Sequence, residues 1–400
     1  MTVRGKGNII MKLMGYKREN GTFGIRNHLL ILPTSVCSSE TAQRIAALVP
    51  GAVAIPHQHG CCQVGADYLQ TVNTLVGFGK NPNVGAVLVV SLGCEGIQPE
   101  VVADQIRESK KPVETVIIQE CGGTLGCIAK GAEIAAKMAR ELSVQNKVAF
   151  DISELVLGLE CGGSDPTSGI AGNPSVGAAS DKLIQLGGTS ILSETTELIG
   201  AEHLVAARCV TKEMGDKLTA MVKRIEDKSK LYGVDLRGTQ PTPGNIAGGL
   251  TTIEEKSLGC IHKAGQSPVI GVLEYSEAVD PEKHGLYFMD TPGEDIDSIT
   301  GMVAGGAQII LFTTGRGTST GRGTPTVAPV IKVTGNPETY AKMTDNIDIN
   351  AGRVITEGKT PQDIGAEIFD KMVAVANGEL TKAEVLGHKE FGIYRIGDTF

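Results

Sequence analysis

Three cysteines in similar glycine-rich contexts are the residues in this sequence best suited to metal chemistry. Cys61 follows His-Gln-His-Gly, Cys94 lies in Ser-Leu-Gly-Cys-Glu, and Cys161 opens Cys-Gly-Gly-Ser-Asp. Neighbouring glycines let the backbone come close to a bulky inorganic centre. Three thiolates from separate loops are the right number for a 4Fe–4S cluster with one open iron, or for a single Fe²⁺. The sequence therefore predicts Cys61, Cys94 and Cys161 as metal ligands, with an open iron that binds a substrate hydroxyl.

The alternative is that these thiols fill the core, as free cysteines commonly do. The other six cysteines lack so complete a context. Three of them are expected to be structural, namely Cys37, Cys209 and Cys260. The remaining three fit either interpretation, namely Cys62, Cys121 and Cys127.

Polar side chains in predicted loops supply candidates for proton transfer and substrate binding. An imidazole or a carboxylate beside a strand end can accept or donate a proton. The predicted catalytic residues are His57, Asp165 and Glu194, and the predicted substrate-binding residues nearby are Ser164 and Asn245. For Glu197, helix capping or solvation is the favoured interpretation.

The loop Thr313-Thr-Gly-Arg-Gly-Thr318 follows another predicted strand. Its backbone amides, hydroxyls and one guanidinium suit a carboxylate or a phosphate. Thr313, Thr314 and Gly315 are therefore predicted to bind substrate. The loop contains no Gly-Lys-Ser/Thr, and no GxGxxG opens a βαβ unit near the start of the chain, which argues against a nucleotide enzyme.

The elements that must position these loops are short buried strands alternating with amphipathic helices. Apolar runs such as His28 to Pro33 and Val87 to Gly93 end in glycine or a small residue, and helical patterns such as Ala129 to Leu142 lie between them. The predicted class is α/β, with two domains of mostly parallel sheets and active-site loops at the strand ends. The predicted boundaries are 14–145 and 150–395.

Composition narrows the possible partners. The net charge of −8 and the pI of about 5.5 argue against nucleic acid and an anionic membrane as partners. The first residues do not resemble a secretory signal, and no stretch approaches the length of a membrane helix. Nine cysteines without such a signal suggest a reducing, cytoplasmic location.

Several motifs together resemble the altronate/galactarate dehydratase family. The matching segments cover nearly the whole chain from Met14 onward, in the family's order. They are Gly15-Tyr-Lys-Arg-Glu-Asn-Gly21 with Gly24-Ile-Arg-Asn27, Ser91-Leu-Gly-Cys-Glu95, Leu159-Glu-Cys-Gly-Gly-Ser-Asp165, Asn173-Pro174, Ile191-Leu-Ser-Glu194, Pro243-Gly-Asn245, and Leu311-Phe-Thr-Thr-Gly315 running on to Ala328-Pro-Val-Ile-Lys-Val333. One departure is Thr320-Gly-Arg-Gly-Thr-Pro325, which looks longer than the family loop.

The resemblance implies a hydro-lyase that converts a sugar acid such as altronate or galactarate to a 2-keto-3-deoxy acid, with iron or another divalent metal. Full-length members of the family carry a small N-terminal domain ahead of the Gly-Tyr motif, so a separate small subunit is expected here. An oligomer is also expected.

Three alternatives stay open. The family includes the large subunit of (2R)-sulfolactate sulfo-lyase, which releases sulfite and works with a separate small subunit; the three-cysteine set places this chain on the dehydratase side. An iron–sulfur redox protein would need the thiolates but not the polar loops. A sugar-acid-binding subunit without activity would keep the polar loops and could dispense with the thiolates.

Overall fold

The computed structural model of the chain describes residues 2–4, 8–319 and 327–398. The segment Thr320-Gly-Arg-Gly-Thr-Pro325 lies outside these residues. The strands are β1 Thr2–Arg4, β2 Asn8–Ile10, β3 Lys12–Lys17, β4 Phe23–Gly24, β5 His28–Pro33, β6 Ala52–Ala54, β7 Val84–Ser91, β8 Val113–Ile117, β9 Val148–Asp151, β10 Val156–Cys161, β11 Thr189–Leu192, β12 Val269–Leu273, β13 Leu286–Met289, β14 Ile309–Thr314, β15 Val330–Thr334 and β16 Ile349–Asn350.

Helices alternate with most of these strands. They are α1 Val36–Leu48, α2 Gly65–Lys80, α3 Pro99–Arg107, α4 Thr124–Ser143, α5 Asn173–Gln185, α6 Glu202–Ala206, α7 Lys212–Leu231, α8 Leu236–Thr239, α9 Pro243–Ala247, α10 Ile253–Cys260, α11 Asp295–Ala304, α12 Pro337–Lys342, α13 Arg353–Thr356, α14 Pro361–Ala376 and α15 Lys382–Val385. Within the described ranges, none is both long and apolar enough to cross a bilayer.

Two parallel sheets form the frame and confirm the predicted α/β class. The smaller sheet has the order β6-β5-β7-β8, and the larger has the order β12-β13-β11-β10-β14-β15-β16. All eight residues of β7 are buried, which is typical of a strand covered by helices on both faces. The carboxyl ends of the strands in each sheet therefore share one edge, where ligands commonly bind.

Local sequence explains where the long helices begin and which face they bury. Thr360 caps α14: its Oγ1 accepts the backbone N–H of Asp363 at 3.1 Å, and the Asp363 carboxylate accepts the N–H of Thr360 at 2.9 Å. This reciprocal cap satisfies N–H groups that the first helical turn leaves free. The buried face recurs at helical spacing and comprises Ile364, Ile368, Phe369, Met372 and Val375.

The predicted domain break between 145 and 150 overlaps the first residues of β9. This strand pairs antiparallel with β3, at the start of the chain, before the larger sheet begins. The two parallel sheets meet at their amino ends. There, the Asn83 side-chain amide donates to the carbonyl oxygens of Gln308 and Val327, at 2.8 and 3.1 Å.

A segment near the end of the described chain, residues 391–396, connects the opposite edges. Nε2 of His59 lies 2.6 Å from the carbonyl oxygen of Ile393, and the ring of Tyr394 packs edge-on against Tyr275 with centroids 4.8 Å apart. His59 follows β6 and Tyr275 follows β12. The carboxyl edges of both sheets therefore face this one segment, which we call the bridging segment.

Candidate active site

A cluster of buried charged side chains lies at the carboxyl ends of two adjacent strands of the larger sheet. Glu160 and Cys161 end β10, and Glu194 lies two residues beyond β11. Glu194 has a left-handed backbone with φ of 68°, a conformation that costs a residue with a side chain about 1–2 kcal/mol. Its Oε2 accepts the backbone N–H of Cys161 at 2.9 Å. Strained residues held in this way concentrate at functional sites.

Lys263 provides the positive charge at the centre of this cluster. Its Nζ lies 2.5 Å from Oε2 of Glu194 and 2.7 Å from Oε2 of Glu197, and none of these side chains is more than 3% exposed. Lys256 adds a second cation, 3.6 Å from Oε1 of Glu197. A buried ammonium loses its hydration and must be compensated by such partners.

The environment separates the proton affinities of the two carboxyl groups beside Lys263. Burial raises the pKa of Glu194 well above its ordinary value, and the neighbouring Glu160 and Glu197 raise it further. Burial also acts to raise the pKa of Glu197, but Lys263 and Lys256 overcome this and lower it. Burial disfavours the charge on Lys263, yet Glu194 and Glu197 raise the pKa of its ammonium well above the usual value. Glu197 and Lys263 therefore form the charged pair, and Glu194 is the member that can hold a proton.

A second group of carboxyl oxygens shares Glu194. Donor oxygens of Glu160, Glu194 and Asp295 all lie within 4.8 Å of one another. Oε2 of Glu160 accepts the hydroxyls of Ser193 and Ser298 at 3.0 and 2.7 Å. Its buried Oε1 has no hydrogen-bond partner among the described residues, and burial raises the pKa of Glu160 well above the usual value. Such an all-oxygen group fits shared protons or one hard divalent ion.

Two thiols lie between the charged cluster and a cavity. Sγ of Cys161 and Sγ of Cys260 are 4.0 Å apart and both side chains are buried. Ser164 Oγ lies 3.3 Å from the Cys161 sulfur, and Asn173 Nδ2 lies 3.8 Å from it. The hydrogen bond from Cys260 outweighs the effect of burial and lowers the pKa of Cys161 to about 7. Cys161 is therefore close to ionisation at neutral pH.

The same two thiols and Glu197 also place three possible metal ligands within 4.8 Å of one another. The charge of Lys263 argues against a metal ion at this position, because its ammonium already lies 2.7 Å from the Glu197 carboxylate. A cation bound there would be repelled across a short distance in a buried site. The ammonium itself balances the charge of this set.

A cavity of about 250 Å³ lies beside Cys260. Its size suits a small metabolite rather than a macromolecule. Apolar side chains of α10 and the preceding loop form part of the wall. The polar residues that line it are Ser164, Asp165, Ser168, Asn173, Glu255, Lys256, Cys260 and His262.

Three of the predicted site residues lie at this cavity or directly behind it, but not all of their side chains are free to act on a substrate. Ser164 lines the cavity, and the Asn245 side-chain amide supports it by donating to the Ser164 carbonyl at 2.9 Å. Asp165 also lines the cavity, yet its carboxylate accepts the backbone N–H of Thr167 at 2.9 Å and the Asn336 amide at 2.9 Å. These bonds hold the loop, so the geometry does not support Asp165 as an acid or base.

The predicted substrate residues at the end of β14 support the site from behind. The Thr313 hydroxyl donates to Oδ1 of Asn173 at 2.6 Å, and the Thr314 hydroxyl lies 3.4 Å from the carbonyl of Gly163. A Cβ on Gly315 would lie 2.2 Å from Oδ1 of Asp165, so only glycine fits there. None of Thr313, Thr314 and Gly315 is among the cavity-lining residues described above.

His57 lies in the smaller sheet's domain and both of its ring nitrogens are engaged. Nε2 lies 2.9 Å from the carbonyl of Pro33, and Nδ1 accepts the backbone N–H of His59 at 3.2 Å. Burial lowers the pKa of His57 to about 4. The imidazole is therefore neutral and holds the loop together, which does not support its predicted role as the first proton carrier.

The three predicted metal ligands divide between the two sheets. Cys61 and Cys94 are exposed at the edge of the smaller sheet, whereas Cys161 is buried in the larger. Among the described residues, these three sulfurs do not form a set lying within 4.8 Å of one another. Because the ligands of a cluster are spaced more widely than those of one ion, the shared iron centre stays a prediction.

Sequence reasoning missed or misread four residues of the buried cluster. Glu197, interpreted as a cap or a solvated residue, is 3% exposed and ion-paired, so that interpretation was wrong. Cys260, expected to be only structural, contacts Cys161 and lines the cavity. Lys263 was not considered, and Glu160 was not among the predicted site residues. The available signal was weak: Lys263 lies close to the apolar residues Ile261 and Ala264 in the sequence, and a buried unpaired lysine would be costly.

Two family models match successive parts of the chain. The family model described as D-galactarate dehydratase/altronate hydrolase, second domain, matches residues 15–143. The model described as D-galactarate/altronate dehydratase, C-terminal, matches residues 152–399. Together these matches cover most of the chain.

Individual relatives span nearly all of the chain as well. It is 40% identical to the (2R)-sulfolactate sulfo-lyase subunit beta of Chromohalobacter salexigens over 390 residues, which cover 96% of this chain and 97% of that protein. It is 34% identical to an altronate dehydratase of Bacillus subtilis and 36% identical to one of Escherichia coli, in both cases over 96% of this chain and 78% of the relative. These matches confirm the predicted lyase, and the chain belongs to the D-galactarate/altronate dehydratase family.

Proposed function

We propose that this chain is a carbon–oxygen lyase that removes water from a sugar acid such as altronate or galactarate and yields a 2-keto-3-deoxy acid. The observation that carries the proposal is the buried Glu194–Lys263–Glu197 cluster, which stands behind a small cavity lined by Lys256 and Cys260. It combines groups that hold protons with a cation facing the space for an anionic substrate. The names of the altronate dehydratases among the relatives support the same chemistry.

The reaction needs two proton movements. A proton leaves the carbon beside the carboxylate, hydroxide leaves the next carbon with a second proton, and the resulting enol becomes the keto acid. Cys260 and Lys256 face the cavity and would meet the substrate. Glu194, whose pKa is raised by burial, and Cys161, with its pKa of about 7, would exchange protons with Cys260. Lys256, whose pKa is raised despite its burial by Glu197, would stay charged. Of the predicted catalytic residues, Glu194 keeps its role as a proton carrier, and His57 does not.

Substrate binding in this proposal rests on one cation and several neutral donors. The Lys256 side chain is 18% exposed and lines the cavity with Ser164 and Asn173. An ammonium beside hydroxyl and amide groups suits a carboxylate followed by hydroxyl-bearing carbons. The Thr313 hydroxyl would fix the position of Asn173.

Iron dependence is part of the proposal. The carboxyl groups of Glu160, Glu194 and Asp295 would share protons and would not hold the iron, because the Lys263 ammonium already lies 2.5 Å from Glu194 and would repel a divalent cation in this buried site. The exposed thiols of the smaller sheet would instead suit a cluster. When bound, iron would supply a Lewis acid for a substrate hydroxyl.

A second candidate reaction is the release of sulfite from (2R)-sulfolactate. It is favoured by the 40% identity to a sulfo-lyase subunit beta, 97% of which this chain covers. That reaction also starts with loss of a proton beside a carboxylate and differs in the leaving group, so the same cluster would serve it. The naming of that relative as a subunit also supports a separate partner subunit for this chain.

The partner subunit would bind to the smaller sheet's domain. Large apolar side chains are exposed at the starts of the helices that follow its strands, where a second chain could cover them. They include Val36, Val64, Leu69, Val101 and Leu125, the last 79% exposed.

The deciding experiment is an assay of the purified chain, with and without its candidate small subunit, on a panel of aldonates, aldarates and sulfolactate. Keto-acid formation without sulfite from one sugar acid is the expected result. Sulfite release from sulfolactate alone would favour the second candidate. Substrate binding without turnover, or reversible reduction without turnover, would instead support the binding-subunit or redox alternatives.

A further inference from the structure

Several thiols in the loops of the smaller sheet have no role in the proposed active site of the larger sheet. Cys61 and Cys62 follow β6, Cys94 follows β7, and Cys121 follows β8. Because these three strands belong to one parallel sheet, the loops that follow them all lie at one edge. Four thiols on three loops therefore share the carboxyl edge of the smaller sheet.

Hydrogen bonds join these loops directly. The backbone N–H groups of Gly96 and Ile97 donate to the carbonyl of Gly60 at 3.1 and 3.4 Å, which connects the loop of Cys94 to that of Cys61. The backbone N–H of Gln119 donates to the carbonyl of Leu92 at 3.1 Å, which connects the loop of Cys121 to that of Cys94. The Cys94 loop is thus in contact with both others.

The central loop is held rigidly by one carboxylate. Oε1 of Glu95 accepts the hydroxyls of Thr34 and Ser91 at 2.5 and 2.7 Å, and Oε2 accepts the N–H of Gly93 at 2.7 Å. Glu95 is 4% exposed, whereas the neighbouring Cys94 is exposed. In this loop the Glu95 carboxylate is therefore buried and fixed by hydrogen bonds, while the Cys94 thiol is exposed to solvent.

Close backbone approach also shapes this edge. Gly60 has φ of +101°, and a Cβ there would lie 2.3 Å from the carbonyl oxygen of Thr34. Gly93 has φ of +119° and lies against Gln119 of the neighbouring loop. Both positions need glycine, and each immediately precedes an exposed cysteine.

The thiols of Cys61 and Cys94 have few other interactions, whereas that of Cys121 is hydrogen-bonded to the thiol of Cys127. Sγ of Cys61 and Sγ of Cys62 are 3.9 Å apart, and in the described part of the chain no other group hydrogen-bonds to Cys61 or Cys94. Exposed, unpaired thiols are unusual on a protein surface because they oxidise. Cys37, by comparison, lies in the first turn of α1, and Cys127 is buried within α4.

We propose that Cys61, Cys94 and Cys121 bind an iron–sulfur cluster at the carboxyl edge of the smaller sheet, so that the third thiolate comes from Cys121 and not from Cys161. A single tetrahedral ion with metal–sulfur bonds of 2.3 Å would hold its sulfurs about 4 Å apart. Among the described residues, no such close set includes these three thiols, whereas ligands of a cluster are spaced more widely. Three thiolates leave one iron open, which could then act as a Lewis acid; the catalytic use of the cluster rests on the proposed function.

The test is anaerobic purification and reconstitution of the full chain with ferrous iron and sulfide, followed by iron and sulfide analysis and visible absorption spectra. Wild type should carry roughly four iron and four sulfide per chain if the cluster is of the 4Fe–4S type. Cys94→Ser and Cys121→Ser should lose most of both, and Cys161→Ser should keep them. Cys209→Ser is the matched control, because Cys209 is a half-buried thiol of the other domain.

Circular dichroism and thermal unfolding of each variant show whether a loss of iron reflects a loss of fold. If Cys121→Ser does not fold, Cys121→Ala takes its place in the test. Retention of iron by Cys121→Ser together with its loss in Cys161→Ser would overturn the proposal, as would wild type that takes up only zinc or no metal. A chain that binds the cluster but forms no keto acid from any substrate would reject the proposed function and leave the cluster site standing.

Discussion

Nζ of Lys263 lies 2.5 Å from Oε2 of Glu194, and both side chains are only 1% exposed. The carboxyl group is fixed at its other side by the backbone N–H of Cys161. This contact links the end of β10, the strained residue beyond β11 and the short helical turn that carries Lys263. The same contact therefore contributes both to the stability of the larger domain and to its proposed chemistry.

Replacing Lys263 with methionine should lower the free energy of unfolding by about 3–5 kcal/mol, because Glu197 would stay buried without its closest cation. Urea unfolding followed by circular dichroism measures the change. The matched control is Lys223→Met, whose exposed partner Asp227 implies a loss below about 1 kcal/mol. Equal losses in the two variants would contradict the assignment of Lys263 as the compensating charge.

Replacing Glu194 with glutamine should lower kcat about a hundredfold while changing the unfolding midpoint little. Glutamine keeps an oxygen for the Cys161 N–H but cannot hold or release a proton. Steady-state kinetics across pH is the measurement, and the high-pH limb that reports the Glu194 proton should disappear. Glu202→Gln, a partly buried acid outside the cavity, is the control. An unchanged pH profile in Glu194→Gln would exclude the proton role.

Glu160 should make the protein less stable as the pH rises. Its folded pKa is raised by burial, so between the unfolded value of about 4.5 and the raised folded value the native state holds more protons than the unfolded state. Stability is present below this window and is lost through it, by up to about 1.4 kcal/mol per pH unit.

Glu160→Gln, which imitates the protonated form, removes this dependence. Urea unfolding of wild type and variant at pH 5 and pH 8 measures this dependence. The free energy of unfolding of the variant, relative to that of wild type, should be higher at pH 8 than at pH 5. A difference that does not vary with pH would mean that Glu160 is ionised in the fold or holds a metal ion.

Lys256→Met should raise KM for an anionic substrate about tenfold or more with a smaller effect on kcat, because the lost ammonium binds the carboxylate in the substrate and the transition state alike. The initial rate at varied substrate concentration is the measurement. Lys212→Met, an exposed lysine in the first turn of α7, should leave both constants unchanged. A purely structural Lys256 would instead lower the unfolding midpoint and leave KM unchanged.

The frame could be predicted from sequence because its signals are local. The runs that became β5, β7 and β14 are continuous and apolar, and the predicted helical pattern at Ala129 to Leu142 lies within α4. The carboxyl-edge position of the site followed from the same pattern. Ser164 and Glu194 were found because they lie within a few residues of a strand end.

The rest depended on contacts between distant residues. Lys263 reaches Glu194 across 69 positions, and Cys260 reaches Cys161 across 99, so no spacing motif marks either pair. His57 and Asp165 have suitable functional groups for proton transfer, but their neighbours use those groups to hold loops together. A sequence shows the type of a side chain and not whether its hydrogen-bonding capacity is already used.

The bridging segment has a consequence for the order in which the protein matures on the ribosome. His59 and its partner Ile393 are 334 positions apart, so the smaller sheet can form early in synthesis while the loop before Cys61 still lacks its final contact. The contact between His59 and Ile393 can form only after almost the whole described chain has been synthesised. Thiols at this edge should consequently react faster with alkylating reagents in nascent or truncated chains than in the finished protein, and insertion of a metal centre would be timed late in biogenesis.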